Sequence, residues 1–332
     1  MQVLPLADAY GRVATDLRVS LTDRCNLRCS YCMPAEGLDW LPNDDVLDDD
    51  EVVRLVRIAV ERLGVDEVRF TGGEPLVRRG LVDIVARTRD ISADLELSIT
   101  SNGLGLARTA QALADAGLNR VNVSLDTVRR DTFHEMTRRD RLDDVVAGLQ
   151  AAAAAGLGPV KVNAVLMRGV NDDQAAELLR WCLERSYELR FIEQMPLDAQ
   201  HGWSREGMIT ADEIFAALDQ DFDLTPAEEP RGSAPAEKFL VDGGPATVGV
   251  IASVTRPFCG DCDRVRLTAD GQIRNCLFAR NESDLRAALR RGADDEEIAR
   301  LWVIAMRGKA PGHGIDDESF LQPTRSMSAI GG

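Results

Sequence analysis

Asp16-Leu-Arg-Val-Ser-Leu-Thr-Asp-Arg-Cys25-Asn-Leu-Arg-Cys29-Ser-Tyr-Cys32-Met-Pro34 begins as a β-like run, Leu17 to Leu21, and passes at once into three closely spaced cysteines. Its alternation of apolar and polar residues predicts a strand, with the cysteines just beyond its C-terminal end. Five further β-like runs follow: Glu67 to Thr71, Leu95 to Thr100, Arg120 to Leu125, Val160 to Val165 and Arg190 to Met195. Between them, stretches such as Asp50 to Leu63, Leu106 to Ala116 and Leu142 to Ala155 carry apolar residues three and four apart, as amphipathic helices do. Strands alternating with crossover helices predict an α/β fold built on a parallel sheet.

Polar residues gather at one end of these runs: Thr22, Thr71, Thr100 with Asn102, Ser124 with Asp126, Asn163, and Glu193 with Met195. In α/β barrels that rim carries the active site. Helix capping, as Asp50 or Asp172 would supply, accounts for any single position more easily than for all of the ends together. After Met195 the pattern weakens. A helix is expected at Ala211 to Leu218, an exposed connection at Thr225 to Pro235, and β-like runs at Thr247 to Val254 and Val265 to Thr268. Helices are expected at Glu282 to Leu289 and Asp295 to Met306, and no regular helix from Gly308 to Gly332. A boundary near residue 196 divides the chain into 1–195 and 196–332.

The 332 residues are 45% hydrophobic, enough for a large core, and carry a formal charge of -16. That sign repels nucleic-acid backbones and anionic lipid, so neither is expected as a partner. The start of the chain has no basic or apolar leader, and the apolar stretch Val145 to Val160 is too short for a membrane span, so the expected location is the cytoplasm.

Six of the seven cysteines fall into two triads, Cys25, Cys29, Cys32 and Cys259, Cys262, Cys276, spaced C-x3-C-x2-C and C-x2-C-x13-C; Cys182 stands alone in a helix-like stretch. Structural disulfides suit small secreted domains, and an odd cysteine count in a long chain argues against them. Structural zinc takes four ligands, and His134, His201 and His313 all lie far from both triads in sequence. A four-iron cubane on three thiolates leaves one iron open, which gives each triad a coordination position for something else.

The first triad, with an aromatic residue before its last cysteine, and Thr71-Gly72-Gly73-Glu74-Pro75 at the end of the next strand resemble the radical S-adenosylmethionine superfamily. DLRVSLTDRCNLRCSYCMP from Asp16, VRFTGGEPLVRR from Val68, FCGDCDRVRLTADGQIRNCL from Phe258 and MSAIGG from Met327 are similar to the molybdenum cofactor biosynthesis protein A family, the GTP 3',8-cyclases. The resemblance implies an incomplete (β/α)6 barrel of the TIM type with a C-terminal α+β extension that carries a second iron-sulfur cluster. It implies two [4Fe-4S] clusters, with S-adenosylmethionine on the first and guanine on the second. It also implies reductive cleavage of S-adenosylmethionine, removal of the C3' hydrogen of GTP and closure of C3' onto C8, giving 3',8-cyclo-7,8-dihydro-GTP. Other superfamily enzymes use an auxiliary cluster for electron transfer or peptide substrates, and a zinc-supported scaffold would use the triads without redox chemistry; both stand as alternatives.

By the same resemblance, Tyr31, Gly73, Glu74, Thr100, Asn102, Ser124 and Met195 are expected around S-adenosylmethionine, and Arg18, Arg69, Lys161, Arg190, Arg264 and Arg266 around GTP. Arg264, Arg266 and the terminal Gly331 and Gly332 are the expected catalytic residues. Guanidinium groups suit phosphate because their planar fork engages two oxygens. Glu67 departs from the family, which often has Lys there; an inward carboxylate would repel triphosphate. Expected partners are GTP, a reductant or electron-donor protein, a second copy of the chain as a homodimer, and cyclic pyranopterin monophosphate synthase, which would receive the product.

Overall fold

The computed structural model describes residues 3–317 and 320–331. The six expected runs become β1 (Asp16–Ser20), β2 (Glu67–Thr71), β3 (Glu96–Ser101), β4 (Arg120–Ser124), β5 (Lys161–Val165) and β6 (Glu188–Ile192). Helices α1 (Asp49–Leu63), α2 (Leu81–Arg89), α3 (Leu106–Asp115), α4 (Arg130–Thr137), α5 (Leu142–Ala154) and α6 (Ala175–Leu183) separate them. Local chemistry sets these boundaries. Asp48 rather than Asp50 caps α1, accepting from the Glu51 N–H while Glu51 accepts from the Asp48 N–H, and Gly64 ends it at φ 78°. Strand β6 ends at Ile192, so Glu193 and Met195 lie on the following loop and not on the expected strand.

The rest of the chain supplies α7 (Ala211–Leu218), β7 (Leu224–Pro226), β8 (Glu237–Val241), β9 (Thr247–Ile251), β10 (Arg264–Leu267), β11 (Gln272–Arg274), β12 (Ser283–Asp284), α8 (Leu285–Arg290), α9 (Asp295–Arg307) and α10 (Met327–Ile330). Three expectations change here. The stretch from Thr225 begins in an edge strand, the helix expected from Glu282 starts only at Leu285, and the tail contains the short helix α10.

All twelve strands found among the described residues join one sheet in the order β12-β11-β10-β1-β2-β3-β4-β5-β6-β9-β8-β7. The run from β10 through β9 is parallel throughout. The sheet therefore has eight parallel strands where six were expected, because β10 and β9 pair with the outer edges of β1 and β6. Unpaired N–H and C=O groups on those edges would otherwise face solvent. The terminal strands do not pair with one another, so the barrel stays open.

Side-chain parity then separates core from lumen. Leu17, Val19, Val68, Phe70, Leu97, Ile99, Val121, Val123, Leu189 and Phe191 are fully buried in the core between sheet and helices. Each contributes roughly 1.5–3 kcal/mol by leaving water. The opposite parity is polar: Arg18 is in register with Arg69 and Arg266, Arg69 with Ser98, and Asn163 with Arg190. An ordinary α/β barrel fills this space with branched apolar side chains; here it is left to charge. Among the described residues no helix is long and apolar enough to cross a membrane.

Candidate active site

The C-terminal ends of the parallel strands surround a cavity of about 340 Å³ lined by all six triad cysteines. The first triad sits on the loop after β1, where the N–H groups of Cys32 and Met33 donate to the Cys29 carbonyl at 2.9 and 3.0 Å. Gly72 and Gly73 hold this loop against β2. Gly73 N–H donates to Thr22 O and Glu74 N–H to Arg24 O, both at 2.8 Å, and a Cβ on either glycine would collide with backbone between Thr22 and Arg24. The glycines thus admit the cysteine-bearing loop itself rather than only a ligand.

Glu74 is buried beneath the cavity wall and accepts from Leu76 N–H at 2.9 Å, Ser101 Oγ–H at 2.8 Å and Asn102 N–H at 2.6 Å. Burial outweighs these three donors and pushes its carboxyl up to about 7. Asn102 Nδ2 points at Cys25 Sγ, 3.7 Å away. Thr100, Ser124 and Met195 line the same wall; Met195 also packs against the small apolar cluster of Met208, Val254 and Ile315. Tyr31 donates to Asp126 Oδ2 at 2.8 Å, and burial raises that carboxyl to about 6. Asp126 thereby orients Tyr31, a role its place on the rim could suggest but not identify. Glu193, also on the rim, is consumed structurally by the N–H groups of Ala211, Val254 and Thr255.

Across the cavity, the second triad brackets β10. Arg12 donates to the carbonyls of Cys259, Ala310 and Pro311, and Lys309 donates to the Cys262 carbonyl and sulfur. Burial pushes the Cys262 thiol up, but Arg264 and Lys309 overcome it and hold the thiol at about 7. No sequence pattern marked Arg12 or Lys309, since each lies in an irregular segment.

Five guanidinium groups, those of Arg18, Arg69, Arg190, Arg264 and Arg266, line the floor. Arg18 Nη2 lies 3.7 Å from Asp16 Oδ2, and Arg190 is held by the amide oxygens of Asn163 and Asn122 at 2.9 and 2.8 Å. Burial and the neighbouring Arg69 lower Arg18 to about 10 and Arg190 to about 9, and burial with Arg18 lowers Arg266 well below the usual arginine range. Arg18 Nε and Arg264 Nη2 are buried without a hydrogen-bond partner among the described residues. Such an excess of buried positive charge calls for an anion. Glu67 does turn inward, but Arg69 Nη2 at 2.5 Å and Arg120 Nη2 at 2.7 Å both donate to it, so its charge is neutralised. Lys161 lies apart from the main cavity, in a smaller one of about 60 Å³, 3.6 Å from Glu188.

The tail closes the site. Arg325 pairs with Asp270 at 2.7 Å and Glu282 at 2.9 Å, the Ser328 N–H faces the Cys32 sulfur, and Arg266 donates to the Gly331 carbonyl. Gly331 has φ 77°, and a Cβ there would meet Ser20 Oγ and Thr71 Cγ2. Gly332 lies outside the described residues.

The donor chemistry of both triads fits iron-sulfur clusters. All six cysteines are free thiols, so no disulfide uses them. His313 reaches the cavity despite its sequence distance, yet its Nε2 faces the Ser253 carbonyl and its Nδ1 accepts the Ile315 N–H, which leaves no imidazole nitrogen for a fourth ligand. Among the described residues no group of three or more His, Cys, Asp or Glu is placed to hold a single metal ion. A cubane spreads its three thiolates over different irons and has no such requirement.

Residues 19–182 match the radical SAM superfamily and residues 187–315 match Molybdenum Cofactor Synthesis C. The GTP 3',8-cyclase of Streptomyces coelicolor is 67% identical over 328 residues, covering 98% of this chain and 96% of that protein. That of Mycolicibacterium smegmatis is 62% identical over 332 residues, covering 99% and 92%. Among solved structures, Streptococcus suis SuiB bound to S-adenosylmethionine superposes with a TM-score of 0.61 at 14% identity, over 92% of this chain and 69% of that one, a likeness of fold.

Proposed function

Because the chain belongs to the GTP 3',8-cyclase family of the radical S-adenosylmethionine superfamily, we propose that S-adenosylmethionine binds against the first triad and GTP between the second triad and the arginine floor. Cys25, Cys29 and Cys32 would hold one [4Fe-4S] cluster and Cys259, Cys262 and Cys276 the other. When bound, the first cluster and S-adenosylmethionine supply the carbon radical that starts conversion of GTP to 3',8-cyclo-7,8-dihydro-GTP in molybdenum cofactor biosynthesis.

The protein's own residues bind and orient. Glu74 receives the amino group of S-adenosylmethionine, with the Gly73 backbone, Thr100, Asn102 and Ser124 completing the wall and Met195 lying by the adenine. Tyr31, held by Asp126, keeps water from the first triad. Arg18, Arg69, Arg190, Arg264 and Arg266 take the charge of the triphosphate; Arg264 and Arg266 also border the second triad and the tail, so they orient the reacting nucleotide. Lys161 contributes long-range charge from below the floor. Gly331 closes the cavity where a side chain would not fit, and with Gly332 it would support catalysis.

One observation carries this reading: two three-thiol groups face one cavity whose buried guanidinium groups include N–H donors without partners among the described residues. Anaerobic reconstitution followed by dithionite, S-adenosylmethionine and GTP tests it, with 5'-deoxyadenosine and a cyclised nucleotide as the expected products. Cofactor cleavage without a nucleotide product would assign the chain to another radical chemistry, and zinc without iron would make it a scaffold. The setting that goes with this function is the cytoplasm, with an electron-donor protein, a homodimer and hand-off to cyclic pyranopterin monophosphate synthase.

A further inference from the structure

Lys309 comes just after Gly308, the C-cap of α9, its N–H donating to Met306 O at 3.0 Å, and its side chain turns inward until the residue is only 3% exposed. All three ammonium protons have acceptors: Cys262 O at 3.0 Å, Arg264 O at 2.9 Å and Cys262 Sγ at 3.4 Å. Among the described residues no carboxylate lies within 4.0 Å of it, whereas Arg12, which reaches the same segment from the N-terminal end of the chain, has Asp8 and Arg264 has Asp263 at 3.8 Å. A buried ammonium without an anion is costly, and carbonyl dipoles alone do not neutralise it. The remaining negative group in reach is the Cys262 sulfur. Arg12, by holding Cys259 O together with Ala310 O and Pro311 O, keeps the Lys309 segment against the triad.

We infer that Lys309 is the charge partner of the second triad and sets how readily a cluster held there accepts an electron. This rests on reading that triad as a cluster site. Reduction adds negative charge to the cluster, so a fixed cation hydrogen-bonded to a ligand sulfur favours the reduced form. Lys309 is a positioning residue, acting through Cys262.

The test compares wild type, Lys309→Met and Lys309→Arg as reconstituted two-cluster protein. Iron and sulfide are counted per chain, and the GTP-sensitive cluster signal is followed through a redox titration. Lys309→Met is expected to keep both clusters while the equilibrium constant for one-electron reduction of the second falls about tenfold or more, 59 mV per tenfold. The first cluster should be unchanged, and Lys309→Arg should stay within about threefold of wild type. An unaltered second-cluster potential in Lys309→Met would overturn the inference, leaving Lys309 as a staple for two carbonyls. Loss of the second cluster from Lys309→Met but not from Lys309→Arg would support it, and loss from both would overturn it. A wild-type protein that binds a single cluster would fail the cluster reading itself.

Discussion

Replacing Gly331 with alanine should disable nucleotide conversion while leaving the rest of the protein intact. Gly331 adopts φ 77°, and a Cβ there would sit on Ser20 Oγ and 2.7 Å from Thr71 Cγ2, at the ends of two central strands that cannot give way. The left-handed conformation costs a non-glycine residue roughly 1–2 kcal/mol, and overpacking adds roughly 1–3 kcal/mol. The tail has an easier escape. Arg325 with Asp270 and Glu282, and the Met327 N–H donating to Leu197 O at 3.0 Å, hold its base, so the last residues can peel away alone. That breaks the bond from Arg266 to the Gly331 carbonyl. A combined cost of roughly 2–5 kcal/mol, at about 1.4 kcal/mol per tenfold, leaves the tail seated at least about 30-fold less often. Turnover of GTP to the cyclised nucleotide, measured by chromatography in reconstituted protein, should fall by that factor. Iron content and the thermal midpoint should match wild type. Turnover within twofold of wild type would refute the reasoning, and loss of iron would show that Gly331 serves the fold rather than the site.

Three further outcomes are expected. Cys276→Ala should remove the second cluster, halving the iron per chain, yet retain S-adenosylmethionine binding at the first triad; equal loss of both would point to a folding defect. Arg18→Met should raise the thermal midpoint of the nucleotide-free protein, because it removes a buried cation with an unpartnered Nε, and should weaken GTP binding by roughly tenfold or more, the loss of one charge-assisted hydrogen bond. A lowered midpoint with unchanged GTP affinity would contradict it. Burial raises the carboxyls of Glu74 and Asp126 to about 7 and about 6, so the folded, cluster-free protein holds protons that the unfolded chain releases. Their stabilisation is complete below the unfolded pKa and is lost as pH rises to about 7, so the denaturant midpoint should be lower at pH 7 than at pH 5 and less pH-dependent in Glu74→Gln. A midpoint that rises over this window would be inconsistent with that assignment.

Short-range pattern made much of the molecule legible. The two-residue period of β1 to β6 separates core positions such as Phe70 and Ile99 from lumen positions such as Arg69 and Ser98, because neighbouring side chains on a strand must leave opposite faces. Spacing alone grouped the six cysteines, and the resemblance of the surrounding motifs pointed to one occupant for each triad. Period says nothing, however, about which strands become neighbours or who stands across the lumen.

The pairing of β10 with β1 joins opposite ends of the chain, and it brings Arg264 and Arg266 beside Asp16 and Arg18. The same long-range closure decides that Glu67 meets Arg120 instead of a phosphate, that Lys161 falls below the floor, and that Lys309 finds the Cys262 sulfur. The sequence by itself therefore determined the six central strands, the faces of their side chains and the two cysteine groups, all properties of residues a few positions apart. Only the tertiary structure decided how the charges in the barrel are balanced, because Coulomb energy depends on distance through space, and a buried cation takes whatever anion the fold brings within reach.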